Sequence, residues 1–166
     1  MKLEAEIKNT KFMQPRQRAI VNILFTASWL DCIISRSLRP YGLTSPQYNI
    51  LRILKGSYPK GLSVLDIKGR MLDRSSNVSR LVEKLRISGH IERLPHGSDR
   101  RMVVVNISES GRKMLDDIEL PAMPQTKEGP GGKMSDAELL ELAHLLDKFR
   151  DWHQPLLLPT PDILLG

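Results

Sequence analysis

The side chains with the clearest chemical possibilities lie between residues 75 and 101. Ser75, Ser76, Asn77, Ser79, Arg80 and Lys84 crowd into a stretch where Val78, Leu81, Val82 and Leu85 recur at i, i+3, i+4 and i+7. At 100° per residue those four aliphatics form the buried stripe of a helix, which leaves Ser76, Arg80 and Glu83 opposite and Asn77 and Lys84 on one flank. These types suit the major groove: Arg forks to guanine, Asn to adenine, and Ser reaches base or phosphate, best from the N-terminal half of a helix. Glu83 runs against that reading unless a basic neighbour pairs with it or a cytosine amine donates to it. A second cluster, Asp99-Arg100-Arg101, sits beside Pro95-His96-Gly97-Ser98, which is turn chemistry.

Other chemistries find no set of residues. No nucleophile, base and orienting acid fall together, and no glycine-rich loop follows a strand, so neither catalysis nor a cofactor is expected. His90, His96, His144 and His153 lack paired metal-ligand spacing, and the single cysteine, Cys32, rules out an intrachain disulfide and a multi-cysteine zinc site. No metal is expected. Cys32 falls in the middle of a long helical pattern and reads as an ordinary buried thiol.

The groove-reading residues need elements to hold them. Of the 166 residues, 40% are hydrophobic and 27% charged, with a net charge of +6, the balance of a globular chain suited to a polyanionic partner. The charge is uneven: residues 1–67 carry 10 basic and 4 acidic side chains, 68–113 carry 11 and 5, and 114–166 carry 4 and 10. Only the first two thirds can face phosphate. The longest uncharged apolar run, residues 19–30, is 12 long, short of the roughly 20 that a membrane span needs. With no leader-like N-terminus, a cytoplasmic protein with no membrane partner is expected.

Ile20, Leu24, Ala27, Leu30, Ile34 and Leu38 predict a long helix over about 17–38. Thr44-Ser45-Pro46-Gln47 is a cap for a second helix carrying Tyr48, Leu51 and Leu54, and Ser63-x-x-Asp66 caps a third with Val64, Ile67 and Met71 inward. A fourth helix is expected from about 75 to 88, with Gly89 ending it. The period then drops to two, predicting strands over 90–94 and 102–107. A helix of about a dozen residues follows Ser108 and stops by Pro121. Residues 121–134 hold six Pro or Gly and read as a linker. Ser135-Asp136-Ala137-Glu138 caps a last helix with Leu139, Leu142, Leu146 and Phe149 inward. The fold class is mainly α with a small β-hairpin wing (α+β), a winged helix-turn-helix core between terminal helices. Expected parts are 1–42, an N-terminal dimerisation helix; 43–108, the DNA-binding region; and 109–166, C-terminal helices, linker and tail for dimerisation. The tail's Leu156, Leu157, Leu158, Ile163, Leu164 and Leu165 are expected to bury against the terminal helices.

In this order, Gly42-Leu43-Thr44-Ser45-Pro46-Gln47-Tyr48, Ser79-Arg80-Leu81-Val82-Glu83-Lys84-Leu85, Gly89-His90-Ile91-Glu92-Arg93, Ser98-Asp99-Arg100-Arg101 and Ser108-Glu109-Ser110-Gly111-Arg112 resemble the MarR family of bacterial transcription regulators. The resemblance covers residues 20–118 and again 135–150. It implies a homodimer with intertwined terminal helices, each subunit presenting a winged helix to a pseudo-palindromic operator in double-stranded DNA, usually as a repressor relieved by a small aromatic effector. It also implies Arg101 in the minor groove, Asp99 tying down an arginine that shapes the wing, and Arg100 on phosphate or sharing the role of Arg101. Trp29, Ile33 and Tyr48 are candidates for the effector cleft. Where family members run the post-wing helix on for many turns, Pro121 stops it here. A winged-helix module binding an acidic protein instead of DNA is the alternative, since fold alone does not fix function.

Overall fold

The structure is a computed structural model that describes residues 2–8, 14–95, 103–118 and 131–151. In chain order the elements are α1 (Leu3–Glu6), α2 (Pro15–Leu38), a 3-10 turn (Arg39–Tyr41), α3 (Ser45–Ser57), α4 (Val64–Arg70), α5 (Val78–Ile87), β1 (Ile91–Pro95), β2 (Val103–Ile107), α6 (Glu109–Asp117) and α7 (Asp136–Asp151). They fall into two compact units, residues 1–122 and 123–166.

Helix α3 is the hub of the first unit, packing on α2, α4, α5, α6 and β2. Its Ile50, Leu51 and Leu54 are fully buried, as are Leu38, Ile67, Val82, Leu85, Val105 and Ile107 from the elements around it. At about 1.5–3 kcal/mol for each large aliphatic side chain fully buried, this cluster is what holds the three short helices and the hairpin together. Local signals set the helix starts. Thr44 accepts from the Gln47 N–H, and the Gln47 side chain answers at the Thr44 N–H at 3.0 Å; Ser63 and Asp66 make the same reciprocal box before α4. Each box satisfies N–H groups that have no partner within their helix.

The hairpin is antiparallel, with Ile91 opposite Ile107 and Pro95 opposite Val103. Its inner edge is longer than the sequence suggests, because Leu62 pairs with Val105 through N–H···O bonds of 2.9 and 2.8 Å. Gly61 makes that approach possible. Its φ is +68°, and a Cβ there would stand 2.9 Å from the Val105 carbonyl oxygen.

Several expectations change. The fourth helix starts at Val78 and not at 75, because Asn77 caps it by accepting from the Arg80 N–H. Helix α1, within a charged stretch that offers no amphipathic period, buries Leu3 and ties Glu4 to Arg18 at 2.6 Å. Residues 109–118 pack on the winged helix: Leu115 and Ile118 join its core, the Tyr41 hydroxyl donates to the Asp117 carbonyl at 2.8 Å, and Lys55 pairs with Asp116. Cys32 is exposed and not buried. Helix α2 buries only Leu38 and leaves Ile20, Leu24 and Trp29 more than a third exposed. Together with the 3-10 turn it makes 27 residues with a mean hydropathy of 1.3 over its most apolar window, enough by length and composition to cross a bilayer. The uncharged run of residues 19–30 understated this.

In the second unit, α7 begins on a cap in which the Ser135 N–H and hydroxyl donate to Glu138 while Ser135 Oγ accepts the Glu138 N–H. None of its residues is buried, and Leu139, Leu140, Leu142 and Leu145 are exposed. Residues 119–130 and the tail 155–166 lie outside the described residues, as do most of the linker and the expected burial of the tail.

Candidate nucleic-acid interface

Helices α4 and α5 are the helix-turn-helix pair. α5 packs its Val78, Val82 and Leu85 into the core and turns its other side outward. Ser79, Arg80 and Lys84 are exposed there, and Arg80 and Lys84 make no ion pair among the described residues. Two cations on one face with no counter-ion among the described residues are attractive to a polyanion.

Glu83, the feature that ran against DNA binding, is occupied. Arg86 donates to both of its oxygens, at 2.7 Å from Nη2 and 3.2 Å from Nε, and Arg93 of β1 stands 3.4 Å from the second oxygen. The Arg86 hydrogen bonds, then the charges of Arg86 and Arg93, hold the Glu83 carboxyl below its ordinary value of 4.5. The triad joins the recognition helix to the first strand of the wing. It also consumes two arginines that charge counting assigns to DNA.

At the N-terminal end the geometry revises three side chains. Asn77 uses Oδ1 to accept the Arg80 N–H at 3.1 Å, so the two-point fork expected on adenine is available only by giving up the cap. Ser75 and Ser76 lie in the turn before α5. Their hydroxyls donate to the two oxygens of Asp73 at 2.6 and 2.7 Å, and the Ser75 N–H adds 2.9 Å to the first oxygen. These bonds, the Ser75 hydroxyl foremost, hold the Asp73 carboxyl below its usual range.

Asp73 and its exposed neighbour Arg74 were not among the sequence candidates. The signal was present: Asp73-Arg74-Ser75-Ser76 is an Asx-type turn in which an acid two and three residues before hydroxyls organises them. Measuring from a helix assumed to start at Ser75 hid it. Asp99, Arg100 and Arg101, the wing residues, lie outside the described residues, although both strands leading to them are in place.

The candidate effector residues differ in burial. Tyr48 is 8% exposed and belongs to the core cluster, Ile33 is half-buried, and Trp29 is 39% exposed on α2. A shallow cleft of about 470 Å³ lies elsewhere, lined by Tyr41, Lys113, Met114 and Asp117 among others.

Residues 43–103 match the model of the MarR family. The chain is 31% identical over 109 residues to the HTH-type transcriptional repressor NicR of Pseudomonas putida, spanning 66% of this chain and 67% of NicR. It is 25% identical over 135 residues to the transcriptional activatory protein BadR of Rhodopseudomonas palustris, spanning 81% of this chain and 75% of BadR. Among solved structures, CouR from Rhodococcus jostii bound to p-coumaroyl-CoA is similar in fold, with a TM-score of 0.65 at 20% identity over 87% of this chain and 97% of CouR. Matching model, matching relatives and a helix-turn-helix with a two-stranded wing lead to one conclusion: the chain belongs to the MarR family of DNA-binding transcription regulators.

Proposed function

We propose that the chain is a homodimeric, cytoplasmic repressor that reads a pseudo-palindromic operator with α5 and relaxes its grip when a small aromatic effector binds. The observation carrying DNA contact to α5 is the pair Arg80 and Lys84, without an ion-pair partner among the described residues, on a helix whose one outward acid is already paired. Ser79, the amide nitrogen of Asn77 and the turn carrying Ser75 and Ser76 lie on the same DNA-facing side. Asp99, Arg100 and Arg101 are assigned to the wing tip, with Arg101 in the minor groove, where the negative potential is enhanced and a weakly hydrated guanidinium is favoured.

The dimer is argued from exposed surface. Ile20, Leu24 and Trp29 on α2, and separately Leu139, Leu140, Leu142 and Leu145 on α7, are more apolar surface than a monomer keeps in water. Burial against a second copy is preferred to a bilayer for α2 because Asp31 sits inside the helix, and a carboxylate at mid-membrane costs about 2.5–3.5 kcal/mol. Two-fold protein symmetry then requires half-sites about one helical turn apart, roughly 10 bp. Repression is favoured because NicR is a repressor, and an aromatic effector because CouR binds p-coumaroyl-CoA. Trp29, Ile33 and Tyr48 are the candidates to touch it.

Selection of bound duplexes from a random library, with molar mass by light scattering on the same sample, tests the reading. A dimer with a two-fold site is expected. A monomer at micromolar concentration, or an asymmetric site, refutes the dimeric form. Binding that follows charge alone, with no sequence preference, returns the chain to the class of interaction modules.

A further inference from the structure

The turn from Asp73 to Ser76 constrains what this protein can read, given the reading above in which this surface faces DNA. A serine hydroxyl has one proton to donate and two lone pairs to accept with. Both serines spend that proton on Asp73, at 2.6 Å for Ser75 and 2.7 Å for Ser76, and an ionised carboxylate can only accept, so the direction of each bond is fixed. The Ser75 N–H is spent on the same carboxylate. Ser75, Ser76 and Asp73 thus have lone pairs and no side-chain proton left to give, and the guanidinium of Arg74 is the donor side chain of the turn. Asn77 beside it has Oδ1 turned inward to the helix cap.

Phosphate oxygens are acceptors too, and so are guanine O6 and N7 and thymine O4. In the major groove the donors are the exocyclic amines, N4 of cytosine and N6 of adenine. We propose that Ser75 and Ser76, oriented by Asp73, are acceptors for an exocyclic amine in each half-site and are not phosphate clamps. Asp73 is then the positioning residue: by holding both protons it turns two ambivalent hydroxyls into amine readers, and it repels the backbone from the turn. Backbone contact here falls to Arg74, which has no ion-pair partner among the described residues.

The test uses the full chain and its selected duplex, with amines deleted one at a time by replacing adenine with 2-aminopurine or cytosine with 2-pyrimidinone. At one position per half-site, wild type should lose about three- to tenfold in affinity, the worth of one net hydrogen bond. The double variant Ser75→Ala/Ser76→Ala should be indifferent to the same deletion. Asp73→Ala, which frees both protons, should lose that base preference, bind random duplex more tightly and show a steeper salt dependence. If Asp73→Ala melts early, Asp73→Asn serves, since its amide accepts one hydroxyl proton and must release the other. Equal sensitivity of wild type and the double serine variant at every position overturns the proposal, as does an Asp73 variant that keeps the preference. Arg80→Ala separates the two levels: if it too leaves affinity for the selected duplex unchanged, α5 does not face DNA and the underlying reading has failed.

Discussion

Gly111→Ala is expected to destabilise the winged helix even though a glycine inside a helix invites the opposite expectation. Gly111 is the third residue of α6, and its N–H donates to Ser108 Oγ at 3.0 Å. A Cβ there would press into the His90 carbonyl oxygen, at 3.1 Å from that carbonyl's carbon and 2.9 Å from Ile107 Cγ1. Ordinary carbon contacts are about 3.5–4.0 Å, so more than half an ångström must be opened on two sides. Neither side yields easily. The His90 carbonyl accepts the Ser108 N–H at 3.0 Å, and Ile107 is fully buried. Overpacking of this kind costs about 1–3 kcal/mol, and two unyielding contacts place this site at the upper end, about 2–3 kcal/mol, against about 1 kcal/mol gained from replacing a helical glycine. The expected net loss is about 1–2 kcal/mol, with a fall in Tm of roughly 3–6 °C for each kcal/mol in a unit of this size. Gly69→Ala is the internal control: it stands in α4 with nothing within 4 Å of a Cβ, and should gain about 0.5–1 kcal/mol. Urea titrations and thermal melts of both variants beside wild type decide it. A Gly111→Ala protein as stable as wild type would refute the reasoning, and so would a loss in both variants.

Arg80→Ala should cost about 1–3 kcal/mol at one base position and relax preference there, whereas Arg101→Ala should weaken binding to all sequences; equal factors on specific and random duplex would remove Arg80 from base reading. Glu83→Gln should lose the ties to Arg86 and Arg93, and the sign with pH follows from a depressed carboxyl: the contribution is complete above the unfolded value near 4.5 and disappears as pH falls through the lower folded value. Wild type and variant should therefore differ in stability by a constant amount from pH 7 to about pH 5 and converge below, as urea midpoints across that range will show. Deletion of residues 155–166, with its six large aliphatic side chains, should lower both the Tm and the dimer affinity measured by sedimentation; no change in either means the tail is not part of an interface.

Much of the scaffold was legible because its signals are local. The Thr44 and Ser63 boxes, the i, i+3, i+4, i+7 stripe of α5 and the two strands after Gly89 each depend on residues a few positions apart and stand in the structure as read, although at the start of the second strand Val103 is exposed while Val105 and Ile107 are buried. The residue types on the outward face of α5 followed from the same periodicity. Where the sequence was silent, the partner lies far along the chain. Leu62 pairing with Val105, Tyr41 reaching Asp117 and Arg93 of β1 closing on Glu83 join elements whose approach only the packed core defines.

The sequence by itself determined which residues are capable of meeting DNA: periodicity assigns a face, and a side chain's chemistry travels with its identity. What those residues have left to offer was decided by tertiary and turn geometry. Whether Glu83 repels phosphate, whether Asn77 keeps its fork and whether Ser75 and Ser76 still hold a free proton all depend on hydrogen bonds already made inside the protein. A donor or acceptor can be spent only once. Composition counts each group as if it were unspent, and only the folded chain shows where it has gone.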